Sequence, residues 1–142
     1  MAGLFNFFGG EKKSKWDSWP VWNSDETAFR TERFNFSCSV TDYSDTTDAK
    51  HVALLKNKGF LAQYRELLEQ EQPKNIFEIG FFQGGMPLFL ADMISPKKIV
   101  AIDWFAPNEH LLNTINSNNL SNIIELVGNV DQGLSLIHIS EP

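Results

Sequence analysis

The 142-residue chain carries 12 Lys plus Arg against 18 Asp plus Glu, a net charge of −6. That balance argues against binding a nucleic-acid backbone, which needs clustered positive charge. Hydrophobic residues at 42% fit a folded domain, no run of 18 apolar residues offers a membrane span, and the single Cys38 excludes an internal disulfide or a cysteine metal cage.

Residues 1–48 form an aromatic-rich zone. The opening Met1-Ala-Gly-Leu-Phe-Asn-Phe-Phe is brief, and its lysines (Lys12, Lys13, Lys15) follow the apolar stretch. A secretory signal has the opposite order, so a cytoplasmic protein is expected. Trp16, Trp19 and Trp22 cluster, and packing against the main domain competes with a substrate-lid or partner role for them. Phe34, Phe36, Cys38 and Val40 alternate with polar residues and predict a short strand. Thr41–Asp48 reads as a polar loop, with Asp48 placed to cap a helix.

Residues 49–133 alternate element types. Val52, Leu55, Leu61, Tyr64, Leu67 and Leu68 recur at helical spacing, predicting helix over Ala49–Gln70, with Gly59 dividing it. Strands are expected at Asn75–Gly80, Lys98–Asp103 and Asn122–Val127. Helices are expected at Met86–Ile94, with Pro87 in the first turn, and at Pro107–Asn116, opened by its proline. This order implies an α/β fold with a parallel sheet. His51 and His110 fall on helical segments, where solvated faces are the simplest reading.

Leu134–Pro142 breaks the pattern. Too few residues separate it from the third strand for a parallel crossover. Leu-Ser-Leu-Ile-His-Ile-Ser-Glu-Pro also resembles the translation of a sequencing adapter. It is expected to be non-native, the natural protein continuing past Gly133 with other sequence.

The informative stretch is Phe77-Glu-Ile-Gly-Phe-Phe-Gln-Gly-Gly-Met-Pro87, followed by Val100-Ala-Ile-Asp-Trp104. A strand ends, a glycine-bearing turn follows and a helix begins, offering backbone N–H groups and a positive field. Asp103, at the tip of the next strand, suits a pair of ribose hydroxyls. The dinucleotide pattern wants glycine where Phe82 stands, and Glu78 would repel a diphosphate but suit a cationic amino-acid end. Plainer roles stand beside these: a tight strand-to-helix turn for the glycines, a helix cap for Asp103, a loop-bonding role for Glu78, and pocket wall or core for Trp104.

Glu78-x-Gly80-x-x-x-Gly84-Gly85 with Asp103 resembles the glycine motif and following acidic motif of class I S-adenosylmethionine-dependent methyltransferases. The likeness is nearest to the branch of cephalosporin hydroxylase-like and sugar O-methyltransferases. It implies a Rossmann-like α/β fold, truncated here after the third parallel strand. It also implies S-adenosylmethionine as cofactor and a small-molecule acceptor, through a hydroxyl. The backbone of Gly80, Phe81, Gly84 and Gly85 would hold the methionine portion, Glu78 its amino group, and Asp103 the ribose. Trp104 or Phe105 would flank the adenine, with Asn129 or Asp131 facing its amine. The acceptor base or divalent metal of that branch would lie beyond the third strand, so no catalytic residue and no metal ligand is expected here. The chain would then be an inactive fragment. A nicotinamide-dependent oxidoreductase and a non-enzymatic interaction module are the rival classes.

Overall fold

A computed structural model describes residues 14–38 and 44–129. After a short 3-10 turn at Lys15–Asp17 come β1 (Val21–Trp22), β2 (Ala28–Arg30), β3 (Asn35–Cys38) and β4 (Val52–Leu54). Then follow α1 (Lys58–Glu71), β5 (Asn75–Ile79), α2 (Gly85–Ile94), β6 (Lys98–Ile102), α3 (Glu109–Ser117) and β7 (Ile124–Val127). The result is a mixed α/β architecture with two sheets. β1-β2-β3-β4 is antiparallel except for the parallel β3–β4 pair, whereas β5-β6-β7 is wholly parallel and compatible with a Rossmann-like fold.

Several expectations need correction, among them the dividing role of Gly59, which lies in the first turn of a continuous α1. The helix predicted from Ala49 begins instead at Lys58, capped by the Asn57 side chain, which accepts from the Phe60 N–H. Val52–Leu54 upstream of it is a strand, because these residues pair in register with Phe36–Cys38 and are buried against α2. Asp48 therefore caps no helix; it accepts the N–H groups of Lys50 and His51 in a tight turn. α3 starts at Glu109 rather than Pro107, with Asn108 as its cap. Of the strand predicted at 34–40, residues 35–38 form β3, and the rest of that stretch past Cys38, like the segment from Leu134, lies outside the described residues.

The glutamine that ends α1, Gln72, takes a left-handed conformation before Pro73, which cannot continue a helix. α2 is apolar nearly all round and buried from Gly85 to Met93, as a helix enclosed on every side must be. Phe89 meets Trp16, Phe29 and Phe36 edge to face, so these three aromatics belong to the core. Trp16 is buried there, which is the packing role. Each aromatic pair adds roughly 0.5–1.5 kcal/mol beyond its area. Asp92, the one charge inside α2, has no side-chain exposure and binds Lys15 Nζ at 3.2 Å and Arg33 Nε at 2.7 Å. Burial would raise its pKa, but hydrogen bonds from Thr31 and Arg33 and the Lys15 charge outweigh that, holding the carboxyl below its ordinary value. This ion cluster ties the N-terminal sheet to α2.

Register divides the parallel sheet cleanly. Ile76, Ile99 and Ile124 align on one face, with Glu78, Ala101 and Leu126 beside them, and this face meets the helices. Phe77, Val100 and Glu125, then Ile79, Ile102 and Val127, occupy the other. Among the described residues nothing covers that second face: Phe77 is 63% and Ile79 79% exposed. Parallel sheets are ordinarily buried on both faces. β5 is also an outer strand of its sheet.

Candidate functional site at the tips of the parallel strands

The site begins where β5 stops. Gly80 takes φ +83° and donates its N–H to Ile102 O at 2.8 Å, still held by the ladder. Phe81 turns inward and is buried. Phe82 adopts φ +51°, a left-handed conformation costly for a non-glycine residue. Its N–H donates to Asp103 Oδ2 at 2.6 Å. Gly84, at φ +82°, closes the turn by donating to Phe81 O at 2.7 Å, and α2 follows at once.

Asp103 reaches the turn because β6 lies beside β5 in register and ends level with it, Ile102 opposite Ile79. Its backbone N–H donates to Val127 O at 3.0 Å, and its Oδ1 accepts the Phe105 N–H at 3.3 Å. Glycine turn and acid are thus in contact through the Phe82–Asp103 hydrogen bond. Asp103 caps no helix; Asn108 does that for α3 by accepting from Leu111 N–H at 2.7 Å.

Glu78 lies on the helix-facing side of β5, and its Oε2 is buried with no hydrogen-bond partner among the described residues. It borders a space of about 30 Å³ together with Leu55, Lys56, Gly80, Phe82 and Met86. That is room for one water or one ammonium group. Burial pushes the carboxyl up to about 7, and the negative Asp103 nearby adds to the rise while Lys56 opposes it. The loop-bonding role open to Glu78 on sequence is performed at Phe82 by Asp103.

The glycines have separate reasons. A Cβ on Gly84 would fall 2.3 Å from Leu111 Cδ1, and one on Gly85 would fall 2.5 Å from Ala53 O. Both glycines therefore serve packing of the chain against itself. Among the described residues a Cβ on Gly80 would meet nothing within 4 Å, so of the three only Gly80 has room for a side chain.

Trp104 and Phe105, 71% and 74% exposed, stand just beyond β6 and are not core. Asn129 is exposed at φ +56° past β7, and Asp131 and His138 lie outside the described residues. Gly128 brings the β7 end against Phe105 and Ala106, where an added Cβ would be 2.6 Å from Ala106 Cα. His110 is exposed on α3 as expected. His51 is not on a helix. It precedes β4, half-buried, its ring 3.3 Å from Asp45 and 3.2 Å from Asp48. Among the described residues no group of three or more His, Cys, Asp or Glu could hold a metal ion, and no helix is long and apolar enough to cross a membrane.

Sequence reasoning missed a polar cluster behind the turn. Thr47 Oγ1 donates to Gln83 O at 2.7 Å, Thr47 N–H donates to Gln83 Oε1 at 3.2 Å, and Asn108 Nδ2 donates to that same Oε1 at 2.7 Å. Its members come from three distant stretches, so no local pattern marks them.

No family model, curated protein or solved structure matches this chain.

Proposed function

We propose that the chain is the N-terminal half of the cofactor domain of an S-adenosylmethionine-dependent methyltransferase acting on a small-molecule hydroxyl. In this reading the fold is the class I methyltransferase version of the Rossmann-like pattern, cut after its third parallel strand. The observation that carries the reading is the convergence of Asp103 on the Gly80–Gly84 turn, with the unpartnered Glu78 oxygen beneath it.

The residues fit the adenosyl cofactor chemically. A buried carboxylate oxygen without a partner suits an ammonium group, directly or through the single water its small space admits. Gly80 leaves its outer side open for the methionine portion. Asp103 spends one acceptor site per oxygen on Phe82 and Phe105, which leaves lone pairs for vicinal hydroxyls. Trp104, Phe105 and Asn129 stand near the strand tips where an adenine would lie.

The bound cofactor would supply an electrophilic methyl group on a sulfonium, released to an in-line nucleophile. This chain's contribution is positional: the turn and Asp103 orient the adenosyl compound, and Glu78 anchors its charged end. No residue here is assigned to acceptor deprotonation, so the isolated chain is expected to bind without turning over.

Calorimetry with S-adenosylhomocysteine and with NAD tests the reading. Binding of the first alone supports it; binding of NAD alone would transfer the site to an oxidoreductase. Binding of neither by the chain or by a longer form extending past Gly133 would leave the aromatic zone as an interaction module.

A further inference from the structure

We infer that Thr47 is a positioning residue of the glycine turn, so that the segment ahead of β4 shapes the ligand site. The inference rests on the cofactor reading above for its ligand, though not for its geometry.

The turn from Gly80 to Gly84 is fixed at its ends by β5 and α2. Its middle contains Phe82 in an unfavourable left-handed conformation, beside a second left-handed residue, Gly84. Such a turn relaxes unless its surroundings hold it. Two things do. Asp103 takes the Phe82 N–H from the sheet side. Thr47 grips the next residue from the opposite sequence direction, taking the Gln83 carbonyl with its hydroxyl and the Gln83 side chain with its amide.

Threonine's chemistry is used twice over. Its buried hydroxyl donates to Gln83 O and accepts the Ala53 N–H at 3.1 Å, so it joins β4 to the turn. Asn108 completes the clamp by donating to Thr47 O at 3.1 Å and to Gln83 Oε1. The segment carrying Thr47 is itself closed: the Asp48 N–H donates to His51 O, Asp48 Oδ1 accepts two backbone N–H groups, and His51 sits between two aspartates. A rigid strap therefore fixes Gln83, and a fixed Gln83 aims the Phe82 amide at Asp103.

The test compares the full chain with Thr47→Val, Thr47→Ser and Asn108→Ser. Valine keeps the shape but neither donates nor accepts; serine does both. Serine at 108 keeps the helix cap and loses the two side-chain N–H bonds. Two quantities are read: calorimetric affinity for S-adenosylhomocysteine, and amide exchange at Phe82 and Gly84 against Ile99 and Ala101 in β6. Thr47→Val should weaken binding about tenfold, the scale of one or two lost hydrogen bonds, and Thr47→Ser should stay within about twofold of wild type. Exchange at Phe82 and Gly84 should rise about tenfold in Thr47→Val with β6 unchanged, and Asn108→Ser should fall between. Wild-type behaviour of Thr47→Val, failure of serine to rescue, or an equal rise throughout β6 would overturn the inference. If wild type does not bind S-adenosylhomocysteine, the cofactor reading fails, and the exchange pattern alone decides the positioning role.

Discussion

Asp103 and Phe82, 21 residues apart, are joined by a 2.6 Å hydrogen bond from backbone N–H to carboxylate, so the tip of β6 holds the turn that follows β5. The acid is thereby both part of the scaffold and the group offered to a ribose. The two roles separate by substitution. Asp103→Asn keeps an acceptor for the Phe82 N–H but gives up the charge and half of the acceptor capacity. Asp103→Ala loses everything. Amide exchange at Phe82 should stay near wild type in the asparagine variant and accelerate in the alanine variant. S-adenosylhomocysteine affinity should fall in both, by about tenfold to a hundredfold, the scale of one lost hydrogen bond to a charged group. Undiminished affinity in Asp103→Ala would remove the acid from the ligand site.

Glu78 makes stability depend on pH in the direction opposite to most carboxylates. Its folded-state pKa of about 7 exceeds the ordinary 4.5. Between those values the folded chain keeps a proton that the unfolded chain releases, so stability declines as pH rises through this window. The full penalty is present above about pH 7 and amounts to at most about 3 kcal/mol. Urea unfolding at pH 5 and pH 8 should show this loss in wild type and not in Glu78→Gln. A cationic ligand end would draw the proton off, so S-adenosylhomocysteine affinity should rise over the same window. Identical pH profiles for wild type and Glu78→Gln would mean that the carboxyl is not held in a dry environment.

Much of the second half of the fold is legible because its signals are local. Ile76–Ile79, Ile99–Ile102 and Ile124–Val127 are mostly apolar runs, each followed by Gly or Asp, and each lies in a strand. β4 was hidden because three residues, Val52 to Leu54, satisfy a helical spacing with Leu55 and Leu61. What makes them a strand is a distant partner, β3. β1 and β2, two and three residues long, are likewise defined by pairing rather than by composition. At the site, the glycines and Asp103 announce themselves by type and spacing. The Thr47–Gln83–Asn108 clamp does not, since nothing local to any of these three stretches marks that they meet.

The bare sheet face carries its own consequence. Phe77, Ile79 and Val127 are exposed on a parallel sheet whose β5 edge lacks a neighbour strand among the described residues. Such a surface binds hydrophobic dyes and self-associates. A Phe77→Thr, Ile79→Thr double variant keeps strand propensity while removing the apolar surface. It should bind less anilinonaphthalene sulfonate and remain monodisperse at higher concentration in light scattering, with the unfolding midpoint nearly unchanged. If other residues of the chain cover this face, the same variant should instead lose about 2–5 kcal/mol, the cost of emptying buried sites.

The three glycines of the turn should fail in different ways when replaced by alanine. Gly80→Ala meets no atom of the described residues, so it incurs only the conformational cost of a positive φ, about 1 kcal/mol. Gly84→Ala adds a clash with the buried Leu111 to the same backbone cost, and Gly85→Ala drives its Cβ into the Ala53 carbonyl. Each of these two should lose about 3 kcal/mol or more, since neither neighbour can retreat within a packed interior. Ligand affinity should show the reverse order: Gly80→Ala projects a methyl group into the space proposed for the methionine portion and should bind worse than its small stability loss suggests. Chemical unfolding and calorimetry on the same variants give both scales. Wild-type affinity in Gly80→Ala would place the adenosyl compound elsewhere, because among the described residues this is the one glycine of the turn whose Cβ direction is open.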